Sequence, residues 1–261
     1  MIPEMNKTEK KRHPKLDDFK DTFRLLLKNK LALVGLIISG FYFSIAILDA
    51  VYPQYLGVGP GIVSNLGVFV HQDLQAAPLP TKPTLNNGWW YFLGTTYYRI
   101  PILPAMFASL YFDLWDSSLI IMSGVIIGVT IGAFSGYFGK ITDELMMRIT
   151  DIFFSIPILI FAIIITTVLY RITSGTIPAL TIISIALIIV WWPIYARLSR
   201  SITLSVKSQK FIEASTASGS SRTRNVLVHV IPNVLSPVFV QISLDFGNVI
   251  LLFATLAFSA F

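Results

Sequence analysis

Five stretches of this chain each run for about 20 mostly apolar residues, and that limits the fold more than any other feature of the sequence. They cover 31–51, 117–137, 152–170, 177–196 and 234–258. A hydrocarbon core about 30 Å thick is crossed by a helix of that length. Inside it every backbone N–H and C=O has to be paired within the protein, which leaves helices as the spanning element for runs of this kind. An all-α integral membrane fold with five helices is therefore expected. The composition agrees, with 54% hydrophobic and 13% charged residues against about 25% charged in soluble domains. There is no cysteine, so disulfides and thiolate metal sites are excluded. His13, His71 and His229 show no metal-ligand spacing. The run 31–51 exceeds a signal-peptide apolar core and no A-x-A-like cleavage site follows it, so it reads as a retained first helix.

The net charge of +6 would suit a nucleic-acid partner, but its placement follows membrane topology instead, and no nucleic acid is expected. Nine of the 20 Lys and Arg precede residue 31, including Lys10, Lys11 and Arg12. With that segment inside, the inner loops add Lys140, Arg148, Arg197, Arg200, Lys207, Lys210, Arg222 and Arg224, and only Lys82, Arg99 and Arg171 fall outside. This is the positive-inside pattern. It divides the chain into a cytoplasmic segment 1–30, a first transmembrane helix 31–51, an external loop 52–116 and a transmembrane domain 117–261. That domain has a short inner loop at 138–151 and a long hydrophilic one at 197–233. Trp89, Trp90 and Tyr91 in the external loop suit a membrane interface, and Asp49 near the end of its span reads as interfacial. Five spans leave the C-terminus outside, so a sixth helix is expected to be missing from the chain.

Within the spans, Gly124, Gly128, Gly132 and Gly136 recur every four residues along one slowly turning face, where a second helix backbone can approach closely. Trp191, Trp192 and Tyr195, followed by Arg197 and Arg200, read as an aromatic belt with cationic anchors. In the last span Gln241, Asp245, Asn248, Thr255 and Ser259 lie on one helical face about 27 Å long, with Leu252 as its apolar gap. A carboxylate in hydrocarbon costs about 2.5–3.5 kcal/mol on insertion scales. The stripe therefore lines a translocation path or is satisfied between helices, and the spacing leaves both open. The stretch YFGKITDELMMRITDIFFSIP at 137–157 reads as an interfacial helix with local pairs Lys140 to Glu144 and Arg148 to Asp151.

The inner loop 197–233 is the informative segment. Residues 207–218 suit a short helix, Gly219 the left-handed position that ends it, and Ser220 or Ser221 the cap of a second helix that Pro232 would limit. Such a protruding knob is a docking element or a plain connection, and physics alone does not choose.

The sequence FIEASTASG at 211–219, continuing to HVIPN at 229–233, resembles the EAA loop of ABC importer permeases in its dipeptide/oligopeptide permease form. Three further segments are similar to the C-type subunit of that family: 23–51 with NKLALVGLII at 29–38, the 137–157 stretch, and LGT at 93–95. Ser215 stands at the second Ala of the motif and Phe253 where relatives often carry Glu. The family's GRD and G-R-S elements are not evident in 96–118. The resemblance implies a type I importer fold with a second homologous permease subunit, two cytoplasmic ATP-binding subunits and an external substrate-binding protein. Glu213, Ala214, Ser215, Ala217 and Gly219 would then face an ATP-binding subunit. No cofactor of the chain's own is expected. No G-x-x-x-x-G-K-[ST] loop occurs, so ATP binding and hydrolysis would belong to those partners, and this chain is not expected to be an enzyme. The implied cargo is di- or oligopeptides, with oligosaccharides or nickel as alternatives. From other classes, Asp245 could serve a secondary transporter as an ion relay, although the inverted repeats that would favour this are not seen, or the chain could be a membrane assembly factor.

Overall fold

The computed structural model describes residues 28–51, 82–84, 91–95 and 102–260. Lys10, Lys11, Arg12, His13, His71, Trp89, Trp90 and the side chain of Asp49 lie outside the described residues. Eight α-helices occur among those described: α1 Lys30–Val51, α2 Ile102–Phe138, α3 Lys140–Ser155, α4 Ile158–Ile172, α5 Ala179–Lys207, α6 Lys210–Ala217, α7 Arg222–Asn225 and α8 Ile231–Ala260. A single π-helical turn, Val226–Val230, joins the last two. Four segments are long and apolar enough to cross a membrane: Lys30–Leu48, Ala105–Phe138, Ala179–Lys207 and Arg222–Ser259. The stretch expected as a span at 152–170 falls on the end of α3 and on α4, which are bent by 88° at their junction and pass the same test only when taken together.

That bend corrects the reading of 152–170 as one straight span, and Pro157 is its cause. A residue before proline is pushed out of the helical region, and Ile156 is extended at φ −104°, ψ 129°. The expected inner loop at 138–151 is in fact most of α3. Two other boundaries move for related reasons. α2 begins at Ile102, ahead of the expected 117, because no breaker follows Pro104 and a first-turn proline is tolerated. α5 runs on to Lys207, well past 196, since Ser199, Thr203 and Val206 are all buried and extend its packed face.

α2 and α5 form the centre of the molecule. A methyl group added to Gly128 would stand 2.6 Å from Tyr195 Cβ and 2.8 Å from the amide nitrogen of Ala196. On Gly132 it would run into the carbonyl oxygen of Ala196 and lie 2.8 Å from Ser199 Cβ. On Gly136 it would meet Thr203 Cβ at 3.0 Å. The glycine stripe thus brings two backbones together as its spacing implies. Around this contact Ile120, Val125, Val129, Ile183, Leu187, Val234, Val249 and Leu256 fill a common core with α8. α1 lies at the edge against α2, with Ala46 as its buried residue.

Trp191, Trp192 and Tyr195 are not an interfacial belt. They are 2%, 9% and 0% exposed, turned into the core because the glycine face of α2 leaves room for large rings. Trp192 packs edge-to-face on Phe153 of α3 with centroids 5.1 Å apart. The arginines that follow are also partnered. Arg200 makes a two-pronged pair with Asp143 of α3, Nε to Oδ1 at 2.5 Å and Nη2 to Oδ2 at 2.6 Å. Arg197 donates to Asp151 at 2.7 Å and lies over the Phe154 ring, 3.9 Å from its centroid. Of the expected local pairs neither forms: Glu144 pairs with Arg148, which leaves Asp151 for Arg197. α3 is therefore latched along the C-terminal end of α5.

Gly132→Ala should cost about 1–3 kcal/mol through backbone overpacking, whereas Gly35→Ala, with nothing within 4 Å of the new methyl, should stay within about 0.5 kcal/mol of the parent. Thermal unfolding in detergent, followed by size-exclusion chromatography, distinguishes them. The latch has its own signature. The hydrogen-bonded Arg200 guanidinium holds the Asp143 carboxyl below the usual carboxylate range. Its contribution is thus complete at neutral pH and is lost only as pH falls through that lowered value. Asp143→Asn should destabilise the protein by about 1–2 kcal/mol at pH 7. The gap to the parent should close in acid, and a gap independent of pH would contradict the assignment.

Candidate functional site

The polar segment after α5 folds into a compact knob whose shape follows from three local devices. First, α6 ends in a Schellman motif: Gly219 N–H donates to Thr216 O at 3.0 Å and Ser220 N–H to Ser215 O at 3.1 Å, with Gly219 at φ 85°. This left-handed residue is the usual closure of such a motif and strains any residue with a Cβ. Second, the Ser221 hydroxyl accepts from Arg224 N–H at 3.3 Å and caps α7. Third, the chain passes into α8 through the π turn, where Ile231 N–H bonds to Val226 O. Pro232 therefore does not limit the second helix. It lies in the first turn of α8 directly after the π turn, whose longer-range hydrogen bonding accommodates a residue that has no N–H to donate.

Glu213, Ala214, Ala217 and Gly219 are exposed on the outer side of this knob, while Ser215 is half-buried and points inward. Ile212 is the buried residue of α6. The inner side is organised by Asn225, which is fully buried. Its Nδ2 donates to Tyr137 Oη and to Thr216 Oγ1, both at 3.1 Å. Its Oδ1 accepts from Ser215 Oγ at 2.8 Å. Lys207 Nζ lies 5.6 Å from the centroid of the Tyr137 ring. Asn225 belongs to no motif noted in the sequence. The signal that could have found it is a lone amide between Arg224 and the apolar turn at 226–230, where a polar side chain has to be satisfied or exposed.

The polar stripe of α8 divides. Asp245 is 1% exposed and its carboxylate accepts from Trp191 Nε1 at 3.1 Å and from Gln241 Nε2 at 2.8 Å. It is thus satisfied between α5 and α8, one of the two possibilities its sequence position left open. Gln241 is half-buried beside it, whereas Asn248, Thr255 and Ser259 lie on a face that the rest of the chain does not cover. That face also carries Leu244 and Leu251, 62% and 68% exposed. Thr255 turns its hydroxyl back to Leu251 O. At the other end of α2, the Asp116 carboxylate accepts from Ser184 Oγ of α5 at 3.0 Å. Ahead of that helix, Gly94 of the LGT element accepts from the Ile102 N–H at 3.1 Å and seats its first turn. His229 packs its ring against Phe211. No group of three or more metal-ligating side chains is found among the described residues.

The chain is 30% identical over 259 residues to the dipeptide transport system permease protein of Alkalihalophilus pseudofirmus, covering 99% of this chain and 77% of that protein. It is 32% identical over 244 residues to the oligopeptide transport system permease protein of Haemophilus influenzae, covering 92% and 70% respectively. The nickel transport system permease protein of Escherichia coli is 29% identical over 186 residues, 71% of this chain and 64% of that protein. Residues 128–260 match the family described as binding-protein-dependent transport system inner membrane component. That match takes in three of the four stripe glycines, the α3 latch, the knob and α8, so the chain belongs to this family of multi-pass membrane permease components.

Proposed function

We propose that this chain is the transmembrane permease subunit of an ATP-driven, binding-protein-dependent importer of di- or oligopeptides. The observation that carries the reading is the knob: a short helix with an exposed outer side, closed by Gly219 and standing on the basic, inner end of the bundle. The peptide cargo is supported by the dipeptide and oligopeptide permeases among the relatives. Nickel, named for one relative with lower coverage, is the second reading, and oligosaccharides are the third. The partners are a second permease subunit, two cytoplasmic ATP-binding subunits, an external substrate-binding protein and the surrounding lipid. ATP is bound and hydrolysed by those subunits, and this chain contributes no cofactor site and no catalytic group. Glu213, Ala214, Ala217 and Gly219 form the contact with an ATP-binding subunit, with Ser215 behind them. Asn248 and Thr255, on the uncovered face of α8, face the translocation path or the seam with the second permease. Asp245 and Gln241 hold that helix face in place.

The orientation that this requires, with the N-terminus and the knob cytoplasmic, is tested with single cysteines in a chain that has none of its own. An impermeant thiol reagent added outside intact cells should label position 82 and spare position 207, and the reverse pattern overturns the orientation. For the contact itself, Gly219→Val introduces a β-branched residue at φ 85°, a strain of about 1–3 kcal/mol, in a position with no steric obstacle. It should reshape the knob and reduce co-purification of the ATP-binding subunit while thermal stability of the membrane domain stays unchanged. Glu213→Ala should weaken the same association at least tenfold if its carboxylate is buried by the partner, because an exposed pair is worth only about 0–1 kcal/mol. Full association and full uptake by both variants would reduce the knob to a connection.

A further inference from the structure

We propose that Asn225 is a positioning residue that joins the knob to the end of α2, so that a displacement of α6 is delivered to the transmembrane helices. The inference rests on the reading of the knob as the contact with an ATP-binding subunit. α7, the π turn and α8 run as one continuous rod from Arg222 to Ser259, and Asn225 sits in that rod at the level of the knob. α6 is joined to the rod by the Schellman turn and by two apolar contacts, the buried Ile212 and the ring of Phe211 against His229, neither of which is directional. Without a further tie, a push on α6 would be absorbed by the turn at 218–221.

The amide of Asn225 supplies that tie in two directions. Its oxygen and one N–H hold Ser215 and Thr216 of α6, and its other N–H holds Tyr137 near the end of α2. The direction of each bond is consistent. The Thr216 hydroxyl donates to Ile212 O at 2.9 Å, which leaves its lone pairs to accept from Asn225. The Ser215 hydroxyl, at the motif position where the family's pattern has Ala, donates to the amide oxygen. An asparagine satisfied on all three sides, with no water-exposed atom, has one rotamer available to it and transmits a shift in place of relaxing it. Tyr137 continues the link: it lies one residue beyond Gly136, the inner end of the glycine stripe that fixes α2 to α5.

The test uses the assembled transporter in proteoliposomes with its ATP-binding subunits and purified external binding protein. Three quantities are read: cross-linking of a cysteine at 213 to the ATP-binding subunit, thermal stability, and stimulation of ATP hydrolysis by the external binding protein. Tyr137→Phe keeps the ring and deletes the hydroxyl, so it severs the tie without opening the core. It should lower that stimulation roughly three- to tenfold, the range expected for one buried hydrogen bond, with cross-linking retained. Asn225→Ala should do at least as much, and the double variant should be no worse than Asn225→Ala alone, because both remove the same link. Ser215→Ala should give a smaller loss. Retained stimulation in Tyr137→Phe and Asn225→Ala overturns the proposal. So does a loss that merely follows the fraction of unfolded protein, since that is a structural role only. A parent complex that gives no cross-link from position 213 overturns the underlying reading of the knob instead.

Discussion

The contact between the backbones of α2 and α5 is the constraint on which the remaining architecture depends. In a bilayer, apolar side chains gain nothing by leaving lipid for one another, so helices associate through close packing and polar contacts. Three successive turns of α2 without a Cβ let α5 settle into the groove over Gly128, Gly132 and Gly136. Two consequences follow. The rings of Trp191 and Tyr195 pack over Gly124, 3.4 Å from where its Cβ would stand, while Trp192 turns to the flank against Phe153 of α3. The register of α5 on α2 also brings Arg197 and Arg200 opposite Asp151 and Asp143, which sets where α3 is latched.

Asp245 shows how such packing can turn a costly residue into a brace. Its two hydrogen bonds come from Trp191, which the glycine contact directs toward α8, and from Gln241 one turn earlier on its own helix. A charge-relay role would need a carboxylate that water or an ion reaches, and this one is enclosed. Asn248, three residues beyond Asp245, is uncovered, so the helix has one polar face toward α5 and another, adjoining it, turned away from the chain.

How much of this was legible in the sequence depends on the range of the interaction concerned. The spans, the glycine stripe, Gly219 and the Ser221 cap were readable because periodicity and local backbone chemistry determine them. The latch was not. Its arginines and aspartates lie 46 and 57 residues apart, and local spacing offered the competing pairs Lys140 with Glu144 at i to i+4 and Arg148 with Asp151 at i to i+3. The tryptophans misled for the same reason, since an aromatic cluster followed by cations has the composition of an interfacial belt and only the facing glycines reveal a core position. Prolines misled in both directions: Pro157 breaks a span that looked continuous, while Pro232 sits inside a rod it was expected to limit, because a π turn precedes it.

The knob combines both ranges. Its form is local: a Schellman turn and a serine cap would close in much the same way on any scaffold that held their ends. Its attachment is not local, since Tyr137 and Asn225 are 88 residues apart. The docking role proposed for it needs both properties. An outer side defined by short-range geometry can present the same surface whatever the helices above it are doing. An inner side tied to a distant helix can register where that helix stands. Had the knob been held by apolar packing alone, sliding of α6 over α7 would be met only by a shallow, non-directional potential. Hydrogen bonds from one buried amide are directional and short-ranged, so they make the relative position of α6, the α8 rod and α2 a defined quantity.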